Sequence, residues 1–214
     1  MRISILFASI ALVILSGCAY KSNVSSASGA SEIMPNRRIQ APAYVRVDPE
    51  LSGLARKAST GFVCSAHTYT VDIGPAVTES IMQTLEGAFT QVLRVDAQSE
   101  ARPDGYFLDF YLSDFSPRLR FDQGFWSVNA EATTELSIRA KAYSGDGSLL
   151  FQTTARGDAR SDNSSGGCPD GDERLAEAGK KSLQRTMEDL AQKMVNSRVL
   201  TENIANAAVP RQPR

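Results

Sequence analysis

Three cysteines and a single histidine carry the most distinctive chemistry in this 214-residue sequence. Cys18 closes the tetrad Leu15-Ser16-Gly17-Cys18. Small residues at 16 and 17 let a chain lie extended in a peptidase groove, and the thiol that follows can accept a diacylglyceryl group. Ahead of the tetrad stand Arg2 and an apolar run over 3–15 broken only by Ser4 and Ser9. That run is short for a bilayer span and has the length of a secretion-signal core. An ordinary cleaved signal with a coincidental cysteine is the alternative. Length, core and tetrad agree on a lipoprotein signal peptide over 1–17 and lipidation at Cys18. Several acyl chains on one residue anchor stably, because each buried methylene contributes roughly 0.8 kcal/mol.

Cys64 and Cys168 remain. An exported chain matures in an oxidising compartment, where two leftover thiols are expected to pair. The alternative is two free buried thiols. His67 stands three residues after Cys64, a spacing that could suggest metal. A zinc site needs about four ligands, however, and a disulfide would consume the thiols. A structurally satisfied or exposed histidine is expected instead, with no metal, no cofactor and no catalytic residue. Nothing around His67 resembles a nucleophile elbow.

The acidic group Asp170, Asp172 and Glu173 follows Gly166-Gly167. It lacks the alternating ligand spacing and closing glutamate of a calcium loop. A helix N-cap at Asp170 or Asp172 is the simpler reading, with negative charge near the positive helix end. The segment 121–126 (FDQGFW) holds the sole tryptophan and two phenylalanines. Phe121, Phe125 and Trp126 could form a partner contact at a loop tip. They could equally fold back over a sheet end.

Periodicity supplies the elements that must position these residues. Residues 19–42 are rich in Ser, Ala, Asn and Gly and poor in large apolar side chains, so 18–43 reads as a lipidated cysteine on a flexible tether. Short strands are expected at 44–47, within 62–73 and at 93–95. Gly74-Pro75 opens a helix whose apolar stripe runs Val77, Ile81, Leu85, Ala88, Phe89 and Val92. Residues 106–115 read as a strand.

The clearest pattern is strict alternation over 128–143, with Val128, Ala130, Ala132, Thr134, Leu136, Ile138, Ala140 and Ala142 on one face. Ser144-Gly145-Asp146-Gly147 is turn chemistry, and a return strand follows with Leu149, Phe151, Thr153, Ala155 and Ala159 on one face. A long helix is expected over 172–200, weakened at Gly179. Small side chains on the hairpin's apolar face let helices approach it closely. The expected fold is α+β: a two-layer sandwich of a mostly antiparallel sheet with a long hairpin and two helices packed on one face. It occupies 44–205 as a single domain, with a disordered tail at 206–214.

Charges nearly balance, 24 acidic against 23 basic, and no basic stripe exists, so nucleic acid is not an expected partner. No second apolar run approaches spanning length, which leaves the lipid as the insertion device. Lipobox, polar stretch, strand, helix, strand, hairpin and final helix, in that order, resemble the small outer-membrane lipoproteins of the YajG type. A related two-layer architecture occurs in LptE, the lipoprotein that plugs the lipopolysaccharide translocon. The resemblance implies an envelope accessory role without catalysis. It also implies that Ala19, standing where aspartate signals inner-membrane retention, directs the protein to the outer membrane, facing the periplasm. The expected function is a non-catalytic accessory or assembly factor of a cell-envelope complex, with a membrane contact through the lipid and an envelope protein partner. Tyr111 and Tyr143 belong to the sheet face available for docking. Binding of an amphiphile or glycan in a groove between helices and sheet is the alternative.

Overall fold

Alternation, a positive-φ turn and a pair of amphipathic helices organise this chain. Its structure is a computed structural model that describes residues 18–34, 38–124 and 128–200. The expected signal peptide over 1–17 and the expected tail over 206–214 lie outside the described residues.

Strand β8 (Val128–Tyr143) buries Ala130, Ala132, Thr134, Leu136, Ile138, Ala140 and Ala142, as its period-two pattern requires. It pairs antiparallel with β7 (Tyr106–Gln123) on one side and β9 (Leu149–Gly166) on the other. The β8–β9 turn is closed by Gly147 at φ +86, by Ser144 N donating to Ser148 O, and by Ser148 N donating to the Asp146 carboxylate. β9 presents Ala155, Gly157 and Ala159 inward, opposite Ile138, Leu136 and Thr134. A register shift beyond Ala142 sets Leu149 opposite Tyr143 and leaves it 54% exposed, not on the expected inner face.

β7 is longer than its sequence pattern implied. Its inner face reads Tyr106, Leu108 and Phe110 before a bulge between Leu112 and Asp114, and Phe115, Leu119 and Phe121 after it. The extra residue, Ser113, exchanges the two faces, so one continuous strand carries two opposite parities. The sheet extends through β2 (Ile39–Val47), which is parallel to both β7 and β6 (Phe89–Arg94). β4 (Ser59–Thr60) lies parallel to the far half of β7. The two longest ladders are antiparallel, in the order β6-β2-β7-β8-β9. A second, three-stranded sheet joins β1 (Ala19–Asn23), β5 (Thr68–Asp72) and β3 (Ala55–Lys57) in the order β1-β5-β3.

A four-residue helix α1 (Pro49–Ser52) precedes β3, and two longer helices then cover one face of the larger sheet. α2 (Gly74–Glu86) has Pro75 in its first turn and buries Val77, Ile81 and Leu85. It stops at Gly87, so Ala88, Phe89 and Val92 are not a continuation of its stripe; Phe89 instead opens β6 and is 1% exposed. α3 (Gly171–Leu190) buries Leu175, Ala178, Leu183, Met187 and Leu190, then widens into a π-turn over Ala191–Val195. None of the described helices is long and apolar enough to cross a membrane.

α3 meets the sheet backbone at Gly157. A Cβ there would stand 2.1 Å from Ser182 O and 2.6 Å from Thr186 N. Those are helix backbone atoms, so relief requires the whole helix to move. Gly157→Val is therefore expected to lower stability by about 2–3 kcal/mol, measured by urea unfolding. A midpoint unchanged from wild type would contradict this close approach.

The expected tether over 18–43 is corrected. Ala19–Asn23 forms β1, parallel to β5, and Ile39 already opens β2, so the folded domain begins well before residue 44. Between these strands the chain crosses the groove between α2 and α3. Ala27 N donates to Ser80 Oγ at 2.9 Å, and Gly29 N donates to Thr84 Oγ1 at 3.0 Å. Val24 seats against Gly179, where a helical side chain would collide with it. The small polar residues that resemble a linker are what lets this segment fit between two helices, and buried hydroxyls of α2 satisfy its amides.

Candidate functional site

Cys18 is exposed and is the free thiol among the described residues. No leash separates it from the fold: its carbonyl accepts a hydrogen bond from Thr68 N at 3.1 Å, extending the β1–β5 ladder to the cysteine itself. The N-terminal end of β5 thus lies one strand spacing from Cys18, the expected lipidation position.

Aromatic side chains build this end of the domain. Tyr20 stacks on Tyr69 with centroids 5.2 Å apart, and His67 meets Tyr20 edge-on at 5.6 Å. Tyr69 is buried, donates from its hydroxyl to Cys168 O at 2.6 Å, and packs on Phe121 at 5.7 Å. Burial, with Tyr20 and Asp172 nearby, pushes its phenol up to about 12. The Phe121 expectation is corrected here. It is 4% exposed and belongs to the core under the start of α3, so it is not a partner contact. Phe125 and Trp126 lie outside the described residues.

Cys64 and Cys168 form a disulfide with Cα atoms 5.7 Å apart. It ties the turn before β5 to the entrance of α3. Cys64 sits at φ +62, a left-handed conformation that turns the chain sharply. His67 donates its amide to Cys64 O and packs its ring against Tyr20 and Tyr69, with Nδ1 buried and unpaired among the described residues. No group of three His, Cys, Asp or Glu side chains that could hold a metal occurs among the described residues. Asp170 occupies the N-cap position of α3, but its side chain makes no capping bond. The Asp172 carboxylate accepts from Glu173 N at 2.7 Å, while Glu173 pairs with Arg174. The acidic group therefore acts through the helix-end charge and not through the capping hydrogen bond expected for Asp170 or Asp172.

The opposite face of the large sheet carries features that alternation alone did not mark as a site. Arg46 on β2 makes a bidentate pair with Asp109 on β7, at 2.7 and 2.6 Å, and its guanidinium also donates to Tyr111 Oη at 2.6 Å. Tyr111 in turn donates to Asp109. Asp109 is 2% exposed, and the Arg46 cation lies 5.5 Å from the Tyr111 ring centre. Tyr143 packs on Phe107 at 5.8 Å. Tyr111 and Tyr143 are thus half-buried parts of a second cluster rather than free docking side chains. Next to the β7 bulge, Ser113, Asp114, Glu135, Ser137, Arg156 and Asp158 line an open cleft of about 490 Å³. That cleft is on the sheet face away from the helices. The expected groove between helices and sheet is filled by Leu136, Ile138, Leu183, Met187 and their neighbours.

No family model matches this chain, nor does any curated protein. The comparison with solved structures returns partial likenesses. A crystal structure described as a neuraminyllactose-binding hemagglutinin homolog from Helicobacter pylori is 8% identical, spans 80% of this chain and 91% of its own, and has a TM-score of 0.46. A minor lipoprotein from Acinetobacter baumannii is 13% identical, over 78% of this chain and 95% of its own, with a TM-score of 0.39. An uncharacterized protein is 9% identical, over 82% and 99%, with a TM-score of 0.33.

Proposed function

We propose that this chain is an outer-membrane lipoprotein facing the periplasm, where it serves without catalysis as an accessory or assembly component of a cell-envelope complex. The observation that carries the reading is the Leu15-Ser16-Gly17-Cys18 box, whose cysteine is exposed and bonded through its carbonyl to Thr68 at the start of β5. The remaining thiols are joined to each other, and the single histidine is packed on Tyr20, which supports a structural use of these groups. Ala19 at the sorting position supports export to the outer membrane. The long sheet face carrying the cleft is the surface offered to an envelope protein.

In cells fed an alkyne-bearing palmitate and then treated with a crosslinker, the wild-type protein is expected to carry label, fractionate with outer membrane and retain a stoichiometric protein partner. Cys18→Ser should lose the label and the membrane fraction altogether. Membrane attachment that survives Cys18→Ser overturns the anchor. A labelled, membrane-bound protein with no crosslinked partner overturns the accessory role alone.

A further inference from the structure

Phe62 is 94% exposed, in the turn that leads through Cys64 and His67 to the buried Tyr69. It opens the hinge of two consecutive tight turns, with Ser65 N donating to Phe62 O and His67 N to Cys64 O. Both sides of this turn are held. β4 fixes Ser59 and Thr60 against Arg118 and Leu119, and the disulfide fixes Cys64 to Cys168. A lone exposed aromatic is ordinary on a protein surface. Two facts distinguish this one. Residues 58–71 contain no Asp, Glu, Lys or Arg, in a chain that is 22% charged. The same segment contains Thr68, whose amide is bonded to Cys18 O.

A lipid on Cys18 holds that residue at the headgroup level. With no tether, the start of β5 and the turn feeding it must sit there too. An uncharged tip can enter this zone without desolvating an ion, and aromatic rings favour it. We propose that the 61–67 turn is a membrane-docking element: Phe62 inserts at the headgroup–acyl boundary of the leaflet that holds the Cys18 lipid. Lipid and ring then give the domain two fixed points, so it stands in one orientation. β8 leads away from this end, and the β8–β9 turn lies up to about 50 Å from it at roughly 3.3 Å per strand residue. The outer sheet face is thereby presented to a partner at a set height. This inference rests on lipidation of Cys18.

The test uses the full lipidated protein reconstituted in vesicles of phosphatidylethanolamine and phosphatidylglycerol, some carrying lipids brominated near the headgroup end of the acyl chain. In a Trp126→Phe background, Phe62→Trp places the sole indole at the turn, and Leu149→Trp places it at the opposite end. Phe62→Trp emission is expected to be blue-shifted and quenched roughly two-fold by the brominated lipid, with Leu149→Trp unquenched. Flotation with the vesicles and a water-like, unquenched Phe62→Trp signal overturns docking while leaving the lipid anchor intact. Equal quenching at both positions overturns the fixed orientation. Failure to float removes the anchor and this inference with it.

Discussion

Replacing Cys64 and Cys168 together by serine is expected to lower the unfolding free energy by about 4–5 kcal/mol. The bond closes a loop with a sequence separation of 104, which lies in the range where cross-linking removes much chain entropy from the unfolded state. Its native-state role adds to this. The bond holds Cys168 where its carbonyl receives the Tyr69 hydroxyl, and Tyr69 supports both Tyr20 and Phe121. Loss of the tie should therefore loosen the 61–67 turn before the large sheet. Urea unfolding of the oxidised wild type, the reduced wild type and the double serine variant measures the first effect. Hydrogen exchange at residues 61–70 measures the second. Equal midpoints for oxidised and reduced protein would show that the bond contributes nothing to stability. Uniform exchange across the sheet would remove its local role.

Arg46→Ala is expected to cost about 3–5 kcal/mol, because it strips the cation from a carboxylate that is 2% exposed. Arg46 is a suitable partner: its guanidinium fork meets both Asp109 oxygens, and that contact raises its own affinity for a proton. After the substitution, only the Tyr111 hydroxyl remains to address Asp109 among the described contacts. A buried ion pair is often worth little against an apolar replacement, so the cost belongs to the orphaned charge. Arg46→Met combined with Asp109→Leu should accordingly recover most of the loss. A double-mutant cycle in urea gives the coupling directly. An Arg46→Ala protein within about 1 kcal/mol of wild type would contradict the account.

Several elements were legible because their signals are local. The alternation over 128–143 survives intact as β8, since each residue's face depends only on its neighbours in the strand. Pro75 starts α2 for the same kind of reason, and Gly147 makes the turn that Ser144-Gly145-Asp146-Gly147 implies. Cys64 and Cys168 form the bond expected of two leftover thiols in an exported chain.

β7 shows where local reading ends. Its apolar residues change parity at Ser113, so a search for one period truncates it at 115. The bulge is decided by register against β8, which is information held in two strands. Phe121 was ambiguous for a related reason: an aromatic near a turn is a contact or a core residue according to what lies over it, here Tyr69 and Gly171.

The β8–β9 hairpin and two helices follow from short-range pattern in the sequence, and the cysteine pairing from its cysteine count. The tertiary structure decided the rest. Ser and Ala residues that read as a tether became β1 and a crossing of the helix groove, because Ser80, Thr84 and Gly179 await them from distant parts of the chain. Asp109 became a buried anion because Arg46 faces it across a parallel ladder. Composition describes what a segment can bury alone, whereas those partners exist only once separate elements meet.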